Sequence, residues 1–322
     1  MILPKQKIAD GIHASCLATD KFKVNAITLN LKTSLTAESV TMLNLLSRVL
    51  GRGCNEYPDI KSIENRLDTL YGADLNIGVS RRGDTQYLSV SIDFLSNKYT
   101  EDCDIIADSV DILTKVLLDP VCENGGFAKA YVDGEKKNLT DAINGIVNNK
   151  SQYAKYRCAA EMCKGEPFAL PPLGDKEILD GITPKSLYEF YQDILSSSRI
   201  EILYTGSEVF FPAVCLGFSR AFSSITRNYK TDDTAVSAKH VHRDTVEICE
   251  DMAVNQGKLS IGYTTDIVNP SSELPALIVA NEIFGSSPNS KLFMNVREKM
   301  SLCILLKLAG CKQGTYVCKR RH

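Results

Sequence analysis

The sequence predicts an α+β fold, in which strands and helices mix without the strict β–α–β alternation of a parallel sheet. Two observations support this class. Apolar and polar residues alternate in residues 23–31 and again in residues 88–94, as in strands with one buried face. Apolar stripes of helical period follow these segments, in residues 36–50 and 101–118. At 322 residues, the chain is long enough for two domains or one large domain.

The first three helices are predicted from their apolar stripes and their end signals. Thr36 is a suitable N-cap for the first helix, which Gly51 and Gly53 end. A second helix begins at about Asp59 and stops at Gly72. The stripes consist of Val40, Leu43, Leu46, Val49 and Leu50 in the first helix, of Ile60, Ile63, Leu67 and Leu70 in the second, and of Ile105, Ile106, Val110, Leu113 and Leu117 in the third.

The middle of the chain contains two further predicted helices and a strand. The long polar stretch of residues 133–157 is interpreted as one helix with a solvent-exposed face. Thr183 followed by Pro184 is an N-cap with proline at the first helical position, and the strand 200–205 follows that helix. Residues 222–245 are rich in Ser, Thr, Asp and Lys with weak periodicity, which favours a domain linker.

The segment after this linker repeats the order of elements near the start. A strand in residues 259–263 and a helix in residues 274–284 precede Gly285. Residues 23–51 and 258–285 thus share the order strand, loop, helix and glycine at almost the same length. Because the two segments have little sequence identity, the order of elements by itself only suggests an internal repeat.

Composition excludes several classes of protein. The chain has 37 Lys and Arg against 39 Asp and Glu, so its net charge of −2 gives no general attraction to nucleic acid or membranes. No apolar run reaches the ~18 residues of a membrane span, and the first residues lack the apolar core of a signal peptide. The 11 cysteines include no C-x-x-C, which favours reduced thiols in the cytoplasm; Cys158 and Cys163 are expected to serve as small apolar residues.

General motifs predict no active site. The histidines offer no pair four residues apart, and His240 and His242, two apart, leave a metal site and a solvated loop as alternatives. His13 is placed in a loop without the partners of a catalytic triad. The remaining candidates are four aspartates that form either a carboxylate cluster or the solvent-exposed face of a helix, with the second interpretation favoured: Asp102, Asp104, Asp108 and Asp111.

The first helix and the glycine turn after it resemble those of the pitrilysin/insulinase family of zinc metallopeptidases, in particular the processing peptidases. Active members carry the inverted zinc motif H-x-x-E-H in this helix. Aligned on Gly53, this sequence is similar to them but has Asn44 and Arg48 at the histidine positions and Ser47 at the glutamate position. The resemblance also implies a glutamate ligand seven residues after another acid. Glu135 matches that first acid, and Ala142 stands at the ligand position.

The resemblance extends over nearly the whole chain up to Cys303. It continues through residues 183–191 and is strongest in residues 284–299; together with Leu70-Tyr-Gly-Ala73, these segments resemble the non-catalytic bacterial branch of YmfF-type proteins. The family fold implies homologous α+β domains in a clamshell, of which this chain would hold one complete half and part of the second. The implied domains are residues 1–221, a linker at 222–245, a partial second domain at 246–303 and an atypical basic tail at 304–322.

Active relatives also hold the substrate peptide with an arginine and a tyrosine in the second half. Arg297 matches the arginine and is a possible peptide contact, with a helix-capping role as the alternative. Ile304 stands where the tyrosine is expected, and residues 304–322 carry five Lys or Arg and no acid. These features suggest a truncated or frameshifted chain. Its second domain would then expose apolar side chains and make the chain poorly soluble or sensitive to proteolysis: Ile261, Leu274, Ile278 and Ile283.

The resemblance implies a non-catalytic subunit or homologue of a zinc metallopeptidase. Such a subunit would bind a peptide substrate, an active sister subunit in a heterodimer, or both, in the cytoplasm. It would need no cofactor itself, and zinc is expected only in the active partner; neither nucleic acid nor a membrane is an expected partner. The alternatives are a zinc-dependent metalloendopeptidase that acts alone and a purely structural assembly subunit.

Overall fold

The computed structural model describes residues 4–100, 104–229, 245–252, 255–265, 267, 271–302, 307–310 and 315–321. Two compact units divide these residues. The first unit contains residues 4–81, 85–143 and 173–229, and the second contains residues 82–84, 144–172 and those from 245 onward. Several residues considered above lie outside the described ranges: Asp102, His240, His242, Cys303 and Ile304.

The first unit is built on a mixed six-stranded sheet in the order β1-β2-β8-β3-β5-β4. Strands β2 and β8 pair in parallel, while β1 with β2, β8 with β3 and β3 with β5 pair antiparallel. The described strands of this unit are β1 (Lys5–Ala9), β2 (Ile12–Ala18), β3 (Val24–Ser34), β4 (Asp74–Arg82), β5 (Thr85–Leu95), the short hairpin β6 (Cys122–Glu123) and β7 (Gly126–Phe127), and β8 (Ile200–Gly206).

Helices complete the first unit and, together with the sheet, confirm the α+β class. Apolar side chains of β3 and of the helices α1 and α3 are fully buried in one core, as Leu29, Leu46 and Ile112 illustrate. The helices are α1 (Ala37–Leu50), α2 (Ile60–Thr69), α3 (Ile105–Leu118), α4 (Lys129–Gly145), α5 (Lys150–Met162, in the second unit), α6 (Lys176–Gly181), α7 (Pro184–Ser197) and α8 (Phe211–Ala221).

The predicted helix starts at Thr36, Asp59 and Thr183 are confirmed. Each of these residues is an N-cap, and each is followed by a serine at the third helical position that completes a capping box. The five predicted apolar positions of α1 are all buried. The stripe of α2 is wrong at one position, because Ile60 occupies its first turn and is 45% exposed.

The predicted single helix of residues 133–157 is wrong. The structure has two helices, α4 and α5, separated by a 3-10 turn at Ile146–Asn148. A new helix, α5, begins at Asn149, which is its N-cap. The side chain of Asn149 accepts a hydrogen bond from the Gln152 amide at 3.1 Å. An asparagine that caps a helix end competes with continuation of the preceding helix, and the composition of the polar stretch did not reveal this.

Two strands near the N-terminus and the strand β4 were missed in the sequence. His13 therefore lies in β2, opposite Lys7 of β1 and Glu201 of β8, and the prediction of a loop is wrong. Burial lowers the pKa of His13, together with nearby lysine and arginine charges. Its Nδ1 atom is buried without a hydrogen-bond partner in the described part of the chain. Strand β1 has only five residues, whereas β4 carries Leu75, Ile77 and Val79 at alternate positions, a period-two signal from which it could have been predicted.

The end of the first unit reaches into the segment predicted as a linker. Arg227 donates from Nε to the Asp10 carbonyl at 3.0 Å, and its Nη atoms contact the carbonyls of Leu195 and Ser198 at the end of α7. The Asn228 amide donates to the Ser196 carbonyl at 2.9 Å. Residues up to 229 thus pack on the first unit, while the domain boundaries given above stay a prediction.

The second unit combines α5 with a three-stranded antiparallel sheet in the order β10-β11-β9. Its further elements are β9 (Lys258–Thr264), α9 (Leu274–Asn281), π-helical turns at Glu282–Ser286 and Phe293–Lys299, β10 (Lys307–Gly310) and β11 (Thr315–Arg321). The carboxylate of Glu250 holds its segment on α5, since it accepts from Arg157 Nε at 2.6 Å and from the Tyr153 hydroxyl at 2.8 Å. Ile261, Ile278 and Ile283 are exposed, as predicted, and Leu274 is half-buried.

Candidate functional site

Helix α1 carries three of the residues that stand at zinc-motif positions. Asn44 and Ser47 are buried, and Arg48 is half-buried in the last turn. Both buried side chains bond to their own helix: Asn44 Nδ2 donates to the Val40 carbonyl at 2.8 Å, and Ser47 Oγ donates to the Asn44 carbonyl at 3.0 Å. The donor groups of these two side chains are thereby turned toward the backbone of the helix.

The C-terminal end of α1 is joined to α4 by an ion pair. Arg52 Nε lies 2.5 Å from Glu135 Oε1, and the same carboxylate oxygen accepts from Asn138 Nδ2 at 3.1 Å. The Glu135 side chain is only 8% exposed, against 35% for Arg52. A Cβ added at Gly134 would lie 3.5 Å from Arg52 Nη2, which places the guanidinium against the backbone of α4. Glu135 is therefore already committed to two donors within the protein.

The other two predicted positions provide no metal-binding group. Ala142 lies on α4 two turns after Glu135, half-buried, with only a methyl side chain. Arg297 belongs to the second unit. Its guanidinium lies 4.5 Å from the centre of the Phe293 ring, and its Nε lies 3.6 Å from Glu298 Oε1. Arg297 thus has partners within its own helical segment.

The residues present do not fit a zinc ion. Zinc sites in proteins use cysteine, histidine and carboxylate ligands, whereas these positions hold an amide, a hydroxyl, a guanidinium and a methyl group. A guanidinium stays protonated and repels a cation. Within the ranges that the structure describes, no group of three or more His, Cys, Asp or Glu side chains could hold a metal ion. No metal-dependent step can therefore be derived for this site.

The described aspartates on α3 occupy the solvent-exposed face that the sequence favoured. Asp104 caps the helix by accepting from the Ala107 amide at 3.3 Å. Asp108 pairs with Arg66 at 3.0 Å, and Asp111 pairs with Lys115 at 2.6 Å. These carboxylates are therefore part of the surface of the first unit.

Edge strand β4 is a further feature of the first unit that was not predicted above. It is the last strand in the sheet order, so among the described strands it has one neighbour, β5. Gln86, at the start of β5, donates from Nε2 to Ser39 Oγ at 2.8 Å and to the Ser34 carbonyl at 3.1 Å. These bonds tie the β4–β5 hairpin to the first turn of α1.

The turn that leads into β4 has an unusual backbone. Tyr71 has a φ of 60° and is 59% exposed, and Gly72 has a φ of 71°. A tyrosine rarely adopts the left-handed region, which costs about 1–2 kcal/mol for a residue with a Cβ. The Ala73 amide donates to the Leu67 carbonyl at 3.2 Å, so the turn ends α2 and directs the chain into β4.

Arg52, Asn138 and Gly134 are the site residues that the sequence did not single out. Arg52 follows Arg48 by four residues, which places both on one side of α1 and its continuation. That spacing, combined with the acid already noted at position 135, is the signal that could have found the ion pair. The pair joins residues 83 positions apart, and such a distance lies outside any local pattern.

The fold, together with the absence of a metal ligand from the predicted zinc-motif positions of α1, is typical of an inactive homologue of a metallopeptidase, and comparison with known proteins agrees. Residues 181–305 match the peptidase M16 inactive domain family. The chain is 30% identical over 298 residues to the probable inactive metalloprotease YmfF of Bacillus subtilis strain 168. The aligned region covers 91% of this chain and 68% of that protein. This chain belongs to the peptidase M16 family, as a homologue of its inactive members.

Solved structures share the fold. A conserved protein from Enterococcus faecalis V583 is 27% identical with a TM-score of 0.87, over 99% of this chain and 75% of that one. A peptidase M16 inactive domain protein from Pseudomonas fluorescens is 16% identical with a TM-score of 0.75, over 100% of this chain and 74% of that one. In the part of the chain that the structure describes, we find no helix that is long and apolar enough to cross a membrane.

Proposed function

We propose that this chain is a non-catalytic subunit that binds an extended peptide and works with an active sister peptidase in a heterodimer. The main support for this proposal is the structure of helix α1. The helix is capped, packed and linked to α4 by Arg52 and Glu135, yet none of its zinc-motif positions retains a metal ligand. A fold that keeps its packed helices but lacks the metal ligands is suited to binding a peptide without cleaving it.

Strand β4 offers a place for the peptide. An edge strand presents a row of backbone amide and carbonyl groups, and an extended peptide can add to it as a further strand. The hydrogen bonds of Gln86 hold this hairpin against α1, so a peptide on β4 would lie on the same unit as the replaced zinc positions. Hydrogen bonds to the backbone would give affinity for unstructured peptides of many sequences.

The proposal places zinc only in the sister subunit, which carries H-x-x-E-H and performs peptide processing. This chain needs no cofactor, because a site without ligands cannot lower the pKa of a metal-bound water. We also propose a cytoplasmic location, where thiols stay reduced. Six described cysteines that form no disulfide support it: Cys16, Cys54, Cys122, Cys158, Cys215 and Cys249.

Co-purification tests the heterodimer. The chain is expressed with a sister that carries H-x-x-E-H, and each subunit and the pair are assayed for zinc and for cleavage of unstructured peptides. We expect well under one zinc per copy of this chain and cleavage only by the pair. Stoichiometric zinc with chelator-sensitive cleavage by this chain alone would instead support the independent endopeptidase. A stable pair whose sister cleaves equally well alone would support a structural assembly subunit.

Hydrogen exchange tests the location of the peptide. Added peptide is expected to protect the amides of β4, while the amides of β1, at the opposite edge of the same sheet, serve as the control. Equal exchange with and without peptide in both strands, measured under conditions where binding is saturated, would exclude β4 as the binding edge.

A further inference from the structure

Three polar side chains form a stripe along α1 and its continuation. Asn44, Arg48 and Arg52 are spaced four residues apart, so they lie one above the other on one side of the helix. Gly51 keeps right-handed helical angles, with φ −70° and ψ −7°, and therefore extends this alignment to Arg52. We refer to these three residues as the α1 stripe.

Two members of the α1 stripe have their charge or polarity matched within the protein. Asn44 donates to the Val40 carbonyl, and Arg52 is neutralised by Glu135 at 2.5 Å. Glu135 also accepts from Asn138, so its carboxylate already serves two donors. Arg48 differs: it is half-buried, and within the described ranges neither a hydrogen bond nor an ion pair of its side chain occurs. Among the described residues, the stripe therefore carries one positive charge without an ion-pair partner.

The position of Arg48 in the last turn of α1 does not account for this arrangement. The helix dipole favours a cation at that end, and an exposed lysine or arginine would serve as well. A half-buried arginine, however, loses part of its hydration, and its N–H donors are then available for an acceptor supplied by a bound ligand. Guanidinium groups match carboxylates in shape and can bind them through two parallel hydrogen bonds.

We infer that Arg48 binds a carboxylate of the peptide, so that the zinc-motif face of α1 is an anion-binding site in this protein. The inference rests on the proposed peptide-binding function and adds a specificity to it. The carboxylate is either an acidic side chain or the C-terminal carboxylate of the peptide. Peptides with such a group are expected to bind more tightly than neutral peptides of the same length.

A matched peptide set tests the inference with the full-length chain. Four unstructured peptides of one sequence carry Glu or Gln at a central position, each with a free or an amidated C-terminus, and their affinities are measured by fluorescence anisotropy. We expect about tenfold tighter binding of the peptide that has the recognised carboxylate, the ratio that one hydrogen bond to a charged group typically supplies. The peptide pair that shows the difference identifies the source of the carboxylate.

Variants then assign the preference to Arg48. Arg48→Gln should bring the ratio to about one, while Arg48→Lys should keep only part of it, because the charge remains but the planar group that can form two parallel hydrogen bonds is lost. Arg220→Gln is the control, since Arg220 also lies in the last turn of its helix, α8, and is exposed. This control removes a similar helix-dipole interaction and should leave the peptide preference unchanged. Circular dichroism verifies that each variant is folded.

The outcomes separate the inference from the proposed function. Equal affinity of the wild-type chain for all four peptides would overturn the carboxylate site and leave peptide binding intact. The same would follow from a preference that persists in Arg48→Gln. Failure of the wild-type chain to bind any of the peptides would overturn peptide binding itself, and the inference with it.

Discussion

Helices α1 and α9 follow a strand and a loop in the same order, but they differ in how their apolar side chains are covered. Val40, Leu43 and Leu46 of α1 are fully buried in the first unit. In the second unit, Ile278 of α9 is 54% exposed, and Ile283, in the π-helical turn after it, is 55% exposed. A similar order of elements has therefore produced one buried helix and one exposed helix.

The difference shows that burial depends on neighbouring elements as well as on the helix itself. Helix α1 is amphipathic, and its apolar face packs against α6, α7 and β5. Helix α9 is apolar on all sides, which is typical of a helix that other elements cover completely. Its sequence thus suits a more enclosed environment than the described residues provide.

Truncation of an apolar side chain in each helix gives the largest expected contrast. Leu46→Ala should lower the free energy of unfolding by about 2–5 kcal/mol, because it leaves a cavity in a packed core. Ile278→Ala should change it by less than about 0.5 kcal/mol, since much of that side chain is already in contact with water. Urea titration followed by circular dichroism measures both values. A similar cost for both variants would mean that α9 is covered in solution.

The ion pairs of the two units give a second contrast. Glu135→Gln should lower the free energy of unfolding by about 1–3 kcal/mol. This value is smaller than that of a fully buried pair because Arg52 is partly exposed. Glu298→Gln in the second unit is the control, since Glu298 is 50% exposed and lies 3.6 Å from Arg297. Its effect on thermal unfolding should be close to zero. Equal shifts in the two variants would show that the Arg52–Glu135 pair does not hold α1 against α4.

Helix capping gives the smallest of the three contrasts. Thr36→Ala removes the acceptor of the Ser39 amide and should cost about 1 kcal/mol. Glu273→Ala at the corresponding position of α9 removes no capping hydrogen bond and should be nearly neutral. The same urea titration compares the two variants. A cost at Glu273 as large as that at Thr36 would indicate a cap on α9 in solution.

Much of the first unit could be predicted because its signals are local. Thr36 and Thr183 indicate the starts of their helices, because each is followed by a serine at the third helical position. The buried faces of β3 and β5 are visible as simple alternation of apolar and polar residues. The break at residues 146–148 could not be predicted in this way. The two polar helices on either side of it have similar compositions, and only the cap at Asn149 separates them.

The candidate site likewise has features that could be predicted from the sequence and features that could not. Alignment of the sequence on its glycine turn predicts that Asn44 and Arg48 replace the two zinc-ligand histidines and that Ser47 replaces the glutamate of the motif. The ion pair of Glu135 could not be predicted, because its partner Arg52 lies 83 residues away. Contacts of this kind depend on how α1 and α4 pack, which no periodicity within either helix specifies.

The sequence by itself therefore determined the class of fold and the family, and it predicts the replacement of the zinc-motif residues, since these follow from residue identity and local period. Only the tertiary structure decided the strand order that leaves β4 at an edge and joins β2 to β8 in parallel. It also decided which arginine of the α1 stripe has an ion-pair partner within the described residues and which has none. The physical reason is that hydrogen bonds and charges between distant segments are matched only when the packed helices and strands bring them together.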